Sequence, residues 1–114
     1  MADAAPPCRV LLDNCVPWRL GGSIVGHEVA STVKLGWADF DDGPLLDAMV
    51  GRFDVLVTVD KGIPHQQRVD LRPVAVVLLR SKSSSIRDLL LLVPELLVVI
   101  AAIGPGEVRI VGGP

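Results

Sequence analysis

The chain has 114 residues, half of them hydrophobic, and a formal net charge of −2. This length suits a single domain with its own core, which needs no disulfide framework. The two cysteines, Cys8 and Cys15, have neither disulfide nor zinc-site spacing and fit a reducing, cytoplasmic location. The opening residues MADAAPP lack the basic start and apolar run of a secretory signal.

The charges are unevenly divided along the chain. Residues 1–60 carry 4 basic and 9 acidic side chains, whereas residues 61–114 carry 7 basic and 4 acidic ones. An acidic first half can hold cations, and a basic second half can meet phosphates, although an ordinary solvated surface is the simpler interpretation. Aromatic residues make up 4% of the chain, which argues against a platform for stacking nucleic-acid bases.

The first predicted strand ends in an aspartate. Residues 1–8 are expected to form a flexible end, and residues 9–114 a single domain. Arg9 to Leu12 has the apolar content of a buried strand, and Asp13 follows it directly. A short helix over 16–24 and a strand over 27–33 are predicted next. His27, at the start of that strand, is more typical of a structural histidine than of a metal ligand.

An acidic cluster precedes the next helix, which is predicted over 44–51. Asp42 is our preferred functional member of the cluster, with Asp41 and Asp39 as substitutes. The alternative is that one of these residues only caps the helix, since Asp is favoured at a helix N-terminus.

The central strand is predicted over 54–59 and also ends in an aspartate, Asp60. Lys61, Gly62 and Pro64 then break the strand. Because ligands of open α/β sheets bind beyond the carboxyl ends of the strands, Asp13 and Asp60 are expected at one ligand-binding rim.

A fourth strand is predicted over 74–79. The polar, basic loop Arg80 to Ser85 follows it, where Arg80, Lys82 and the serine hydroxyls could hold a phosphate. The loop could equally be solvated, with one serine capping the next helix.

The longest helical pattern covers 86–103 and is apolar on nearly every side. Arg87, Asp88, Pro94 and Glu95 interrupt it, so we reject a membrane span. A helix that is apolar all round must be covered on more than one side, and we predict a homodimer through it. A short edge strand over 108–111 ends the chain.

This order of elements implies an α/β sandwich with a central, mainly parallel sheet flanked by helices. Three converging carboxylates repel each other, and a divalent cation removes that conflict. Oxygen ligands suit Mg²⁺ or Mn²⁺, which can activate a water for phosphodiester hydrolysis. The predicted metal-binding and catalytic residues are Asp13, Asp42 and Asp60. The predicted substrate contacts are Asn14, Lys61, Arg80 and Lys82.

Three sequence motifs resemble the small bacterial PIN-like domains associated with toxin-antitoxin systems. The motifs are LLDNCVP from Leu11, DGPLLDAM from Asp42, and LVTVD from Leu56, followed by the strand and loop VVLLR. The resemblance covers about residues 9–111. It implies a PIN-like three-layer sandwich, a Mg²⁺ or Mn²⁺ site at the same three aspartates, ribonuclease activity on RNA, and an antitoxin partner. Asn14 stands where many relatives have Glu. The alternative function is a non-catalytic module that binds RNA or a protein.

Overall fold

The framework of the fold is a sheet of five parallel strands. The structure is a computed structural model that describes residues 7–63 and 67–113. The strands are β1 (Arg9–Leu12), β2 (Glu28–Ser31), β3 (Val55–Thr58), β4 (Ala75–Arg80) and β5 (Val108–Gly112), in the order β2-β1-β3-β4-β5. The helices include α1 (Thr32–Leu35), α2 (Asp42–Met49), α3 (Ile86–Leu90) and α4 (Val93–Ala102), with 3-10 helices at Trp18–Ser23 and Val69–Leu71.

Two apolar cores cover the two faces of the sheet, which confirms the α/β class. One core packs the first 3-10 helix, α3 and α4 against one face, through side chains such as Leu20, Leu89 and Leu96. The other packs α2 and the second 3-10 helix against the opposite face, through Leu46 and Val69 among others. Successive strand residues point alternately into the two cores, because side chains alternate across a strand. The result is three layers, with the sheet in the middle.

Two predicted elements near the start of the chain were wrong in type or length. The segment predicted as a helix over 16–24 is a 3-10 helix, and Gly21 and Gly22 within it disfavour an α-helix. The strand predicted over 27–33 stops at Ser31. The Ser31 hydroxyl accepts a hydrogen bond from the Lys34 N–H at 3.1 Å, so the chain turns into α1 instead.

The helix predicted over 86–103 is two helices, α3 and α4. Pro94 accounts for the break. A proline ring clashes with the carbonyl group four residues earlier, here that of Leu90, so it cannot continue the first helix. At the second position of α4 it is tolerated, because the N–H it lacks would have no intrahelical partner there.

The connection from β4 to β5 differs in hand from the other three. It passes over the same face as the connection from β1 to β2, yet it moves in the opposite direction along the sheet. The other connections share one hand, which is the rule for parallel sheets. As a consequence, none of the described helices covers the opposite face of β5, and Val108 and Ile110 are exposed there.

The start of the domain is tied to the fold at Cys8. Its N–H donates to His27 Nδ1 at 2.9 Å, and its thiol lies 3.9 Å from the carbonyl oxygen of Ile100. The rest of the end predicted to be flexible, residues 1–6, lies outside the described residues. In the described part of the chain, no helix is long and apolar enough to cross a membrane.

Candidate active site

Asp13 lies at the carboxyl end of β1, between β2 and β3. Its N–H donates to the carbonyl of Val57 at 3.0 Å, so its backbone still belongs to the ladder with β3. The chain leaves β1 toward one side of the sheet and later returns to β3 on the other side. Such a switch in direction opens a crevice beyond the strand ends, and this strand order is known for binding ligands there.

Thr58 fixes the carboxylate of Asp13. The Thr58 hydroxyl donates to Asp13 Oδ2 at 2.8 Å, and both side chains are buried. The other carboxylate oxygen accepts from the N–H of Asn14 at 2.8 Å. Sequence analysis missed Thr58, because a β-branched residue in an apolar run is typical of any strand. A hydroxyl two residues before Asp60, in an otherwise apolar strand, was the signal.

The same hydroxyl also positions Asp60. It accepts a hydrogen bond from the N–H of Asp60 at 3.0 Å. The Asp60 side chain is exposed, and its Oδ1 accepts from the N–H of Gly62 at 2.8 Å. Thr58 therefore joins the ends of β1 and β3, and it holds a buried and an exposed aspartate side by side.

Asp42 brings the third carboxylate from α2, where it is the first helical residue. Burial raises the pKa of Asp42, and the charges of Asp60, Asp13 and Asp41 raise it further. These effects place the carboxylates of Asp13, Asp42 and Asp60 in one electrostatic neighbourhood. Asp41 occupies the N-cap position, but its side chain makes no capping hydrogen bond.

The three aspartates line one open cleft of about 550 Å³, which we call the acidic cleft. Asn14 and Asp41 also line it, whereas Asp39 does not. Gln67 is a second residue of the cleft that was not predicted from the sequence, in which residues 61–71 are typical of an irregular segment or a short helix with Gln66, Gln67 and Arg68 exposed. It is half-buried in the cleft wall, and its amide oxygen lies against Gly43. Gln66 lies outside the described residues.

Cys15 and His27 have structural roles. The thiol of Cys15 lies 3.5 Å from Asp13 Oδ2 and 3.4 Å from the Thr58 hydroxyl. Burial raises the pKa of Cys15, so it remains a protonated, weakly reactive thiol. His27 uses Nδ1 to accept the hydrogen bond from Cys8.

The chemistry of the acidic cleft suits a hard cation, although the carboxylates are not yet gathered around one point. Within residues 7–63 and 67–113, no three His, Cys, Asp or Glu side chains are grouped closely enough to hold a metal ion. However, Asp60 is exposed and Asp42 is partly exposed, and both line the same cleft as Asp13. Burial raises the pKa of Asp42 most, and the neighbouring negative charges raise it further. Mg²⁺ or Mn²⁺ would offset those charges, and carboxylate oxygens are the ligands that these ions prefer.

The predicted basic residues lie together but outside the acidic cleft. Lys61, Arg80 and Lys82 line a separate depression of about 470 Å³ beyond β3 and β4, which we call the basic pocket. Three serine residues complete its wall. Asp88 does not line the acidic cleft. It lies beside this loop, and its carboxylate accepts from the Ser83 hydroxyl at 2.6 Å. Ser85 caps α3, as one alternative for this loop predicted.

Comparisons with protein-family models, with curated proteins and with solved structures found no match. The resemblance to PIN-like domains therefore stays a prediction from the sequence motifs. The fold supplies the coarser class, an α/β sandwich with a parallel sheet.

Proposed function

We propose that this protein is a metal-dependent ribonuclease with a PIN-like fold, which hydrolyses phosphodiester bonds in the acidic cleft. The observation that carries the proposal is that Asp13, Asp42 and Asp60 line one cleft at the carboxyl ends of β1 and β3. Burial raises the pKa of Asp42, and the charges of Asp60, Asp13 and Asp41 raise it further, whereas ion pairs elsewhere in the protein neutralise other carboxylates. A perturbed acid in a cleft is typical of functional sites.

Asp13, Asp42 and Asp60 would hold Mg²⁺ or Mn²⁺, which when bound supplies an activated water and stabilises the leaving oxygen. Asp13 is the fixed ligand, because Thr58 and the N–H of Asn14 hold both of its oxygens. Asp60 and Asp42 are the adjustable ligands. The exposed side chain of Asn14 lines the cleft, where it can donate to a substrate oxygen.

The basic pocket supports a polyanionic substrate. Lys61 directly follows Asp60, and Arg80 and Lys82 lie on the same wall of the pocket. Phosphate groups next to the scissile bond would neutralise these charges, as they do in most protein–nucleic acid contacts. In this proposal the acidic cleft binds the metal ion, and the basic pocket beside it binds phosphate groups.

Cleavage of single-stranded and hairpin RNA by the purified protein, with Mg²⁺, Mn²⁺ or EDTA, tests the proposal. Asp13→Asn and Asp60→Asn should each reduce the rate by about 100-fold or more, because each removes a charge that positions the metal. Asp39→Asn is the matched control, since Asp39 is an exposed acid near the cleft that does not line it. Equal loss in all three variants, or full activity in EDTA, contradicts the proposal.

A non-catalytic module that binds RNA or a protein is the second candidate. The spacing of the carboxylates favours it, because they are not grouped as a formed metal site in the described residues. Binding of RNA by anisotropy, together with no metal-dependent cleavage and no rise in Tm with Mn²⁺, would select this function over the first.

We also propose a homodimer through α4, and an antitoxin as the partner in the cell. The outer side of the α3–α4 segment exposes Leu90, Leu91 and Val98, while Leu96 and Ile100 face the core. Val98→Glu should therefore shift the protein toward monomer in light scattering at micromolar concentration, without loss of the fold. Glu95→Gln, on the same exposed side, is the control. A wild-type protein that is monomeric at that concentration would refute the dimer.

A further inference from the structure

A further cavity lies apart from the acidic cleft, at the β2 edge of the sheet. It measures about 660 Å³ and runs between the first 3-10 helix, β2 and α1. We call it the Trp18 groove. Trp18 lines the groove near the carboxyl ends of the strands. Lys34 lines it at the same end, because it lies three residues after Ser31, the last residue of β2. The groove is thus next to the acidic cleft, on the side opposite the basic pocket.

Trp18 is not a core residue. Its side chain is 45% exposed, and two cations lie near its ring: Lys34 Nζ at 3.9 Å from the ring centroid and Arg19 Cζ at 5.2 Å. By contrast, Trp37 packs against Phe40 and Phe53. An exposed tryptophan leaves a large apolar surface in water, and the contacts described for its ring are with these two exposed cations.

The groove has the composition of a nucleotide-binding surface. The residues that line it include Arg19, His27 and Lys34 and no acid among the described residues. Aromatic rings bind unpaired bases by stacking, and neighbouring cations bind the adjoining phosphates. Lys34 is exposed, so its ammonium group can leave the ring for a phosphate when a base arrives.

We propose that Trp18 stacks one base of a single-stranded nucleic acid, while Lys34 and Arg19 hold its phosphate. This inference rests on the proposed function for its substrate class and adds the strandedness and the path. The sheet order places the Trp18 groove, the acidic cleft and the basic pocket in sequence along one rim. From β2 to β5 the rim spans four inter-strand spacings, about 19 Å. A nucleic-acid strand that crosses this rim would contact Trp18 first, then the proposed metal ligands, and then the basic pocket.

A base within a duplex is already stacked and has no free face for Trp18. The substrate is therefore single-stranded. One exposed ring is enough for such an anchor, so this proposal departs from the expectation drawn from the low aromatic content. The composition counts rings and does not show which of them the fold leaves uncovered.

Fluorescence of Trp37→Phe, in which Trp18 is the one remaining tryptophan, tests the inference directly. Oligo-uridine of about ten nucleotides, the matching oligo-thymidine and a blunt RNA duplex are titrated in EDTA, which prevents metal-dependent cleavage. We expect saturable quenching by the single strands and much weaker quenching by the duplex. Oligo-thymidine that binds as well as oligo-uridine identifies the shared chemistry as single-stranded nucleic acid, and weaker binding assigns the groove to RNA.

Anisotropy of labelled oligo-uridine then measures affinity in variants of the full chain. Trp18→Ala should weaken binding about 5- to 100-fold, the range typical of a stacked base. Trp18→Phe should retain most of the affinity, and Lys34→Gln should reduce the salt dependence. Circular dichroism of each variant verifies the fold. Leu71→Ala, at an exposed apolar residue outside the groove, is the control and should bind normally.

Unchanged affinity in Trp18→Ala, or unquenched Trp18 with oligo-uridine bound, overturns the inference and leaves the nuclease proposal standing if cleavage still needs metal. The reverse result separates them as well. Weakened binding in Trp18→Ala without any metal-dependent cleavage supports the groove and refutes the nuclease. Oligo-uridine that does not bind at all overturns the inference about the groove, and the cleavage assay then decides the nuclease proposal by itself.

Discussion

Asp54 and Asp42 show how the two rims of the sheet differ. Asp54 stands where the strands begin, and its Oδ2 accepts from the N–H of Arg9 at 2.8 Å, while its Oδ1 pairs with the Arg9 guanidinium at 3.2 Å. These contacts lower the pKa of Asp54. Asp42 stands where the strands end, and burial and three like charges raise its pKa. An aspartate side chain therefore stabilises the fold at the rim where the strands begin and destabilises it at the rim where they end.

The difference indicates which rim has a role beyond folding. A carboxylate with an arginine partner needs nothing more, whereas three acids around a cleft lack any cation to balance them among the described contacts. Functional sites commonly keep such unfavourable arrangements, because the ligand relieves them. The proposed metal therefore belongs at the carboxyl rim, whereas the Arg9–Asp54 pair at the amino rim serves the fold.

Among the variants that test this difference between the rims, Thr58→Val should change the stability most. It keeps the shape of the side chain and removes its hydroxyl. The buried carboxylate of Asp13 then loses a donor, and the N–H of Asp60 loses an acceptor. We expect a loss of about 1–3 kcal/mol in the free energy of unfolding, measured by urea denaturation, together with weaker metal binding.

Thr32→Val is the matched control. Thr32 is as buried as Thr58, but its hydroxyl has no hydrogen-bond partner among the described residues. Replacing it with an apolar group of the same shape should be neutral or stabilising. If the two valine variants lose the same stability, the special role given to the Thr58 hydroxyl is wrong.

Asp42→Asn should have an intermediate effect, and it should stabilise. Removing the repelled charge should raise Tm by a few degrees in EDTA, corresponding to less than about 1 kcal/mol after solvent screening. Mn²⁺ should raise the Tm of the wild type more than that of the variant, since the variant has one anionic ligand fewer. Asp39→Asn, outside the cleft, should show neither change.

The pH dependence follows from the direction of the shift. The folded-state pKa of Asp42 lies above the unfolded value of about 3.9, so the folded state binds more protons between the two values. The penalty of the charge is complete above the folded-state pKa and disappears as the pH falls through it. The advantage of Asp42→Asn in thermal melts should therefore be present at neutral pH and vanish in acid. An advantage that grows in acid would contradict this assignment.

Asp54→Asn should have the smallest effect, of the opposite sign. It weakens the pairing with Arg9, which is exposed enough to be screened by solvent, so we expect Tm to fall by no more than about 4 °C. The folded-state pKa of Asp54 lies below the unfolded value. The stabilisation is therefore complete above about pH 3.9 and is lost as the pH falls through the lower, folded-state value.

Asp47→Asn removes a different exposed ion pair, with Arg72, and is the control for general effects of charge. RNA cleavage should survive in Asp54→Asn, because Asp54 is at the far rim. Loss of cleavage there, with the fold intact, would mean that the two rims are not functionally distinct.

Local patterns predicted much of the fold and of the site. Apolar runs gave β1, β3 and β4 within a residue or two of their observed bounds, since a strand buried on both faces must be apolar throughout. Asp13 and Asp60 were predicted as site residues because each directly follows the carboxyl end of a predicted strand. Local patterns failed at the helix 86–103, where hydrophobicity continues across the break, and the proline rule had to outweigh periodicity.

The sequence by itself determined that two buried strands end in aspartates and that the domain builds a parallel α/β sheet, because both depend on residues adjacent in the chain. Tertiary structure alone decided that Thr58 joins Asp13 to Asp60, that Asp42 feels both charges, and that Lys61, Arg80 and Lys82 form a separate pocket. It also decided that Trp18 stays exposed. These relations join residues as many as 47 positions apart, and the order of the strands sets their distances.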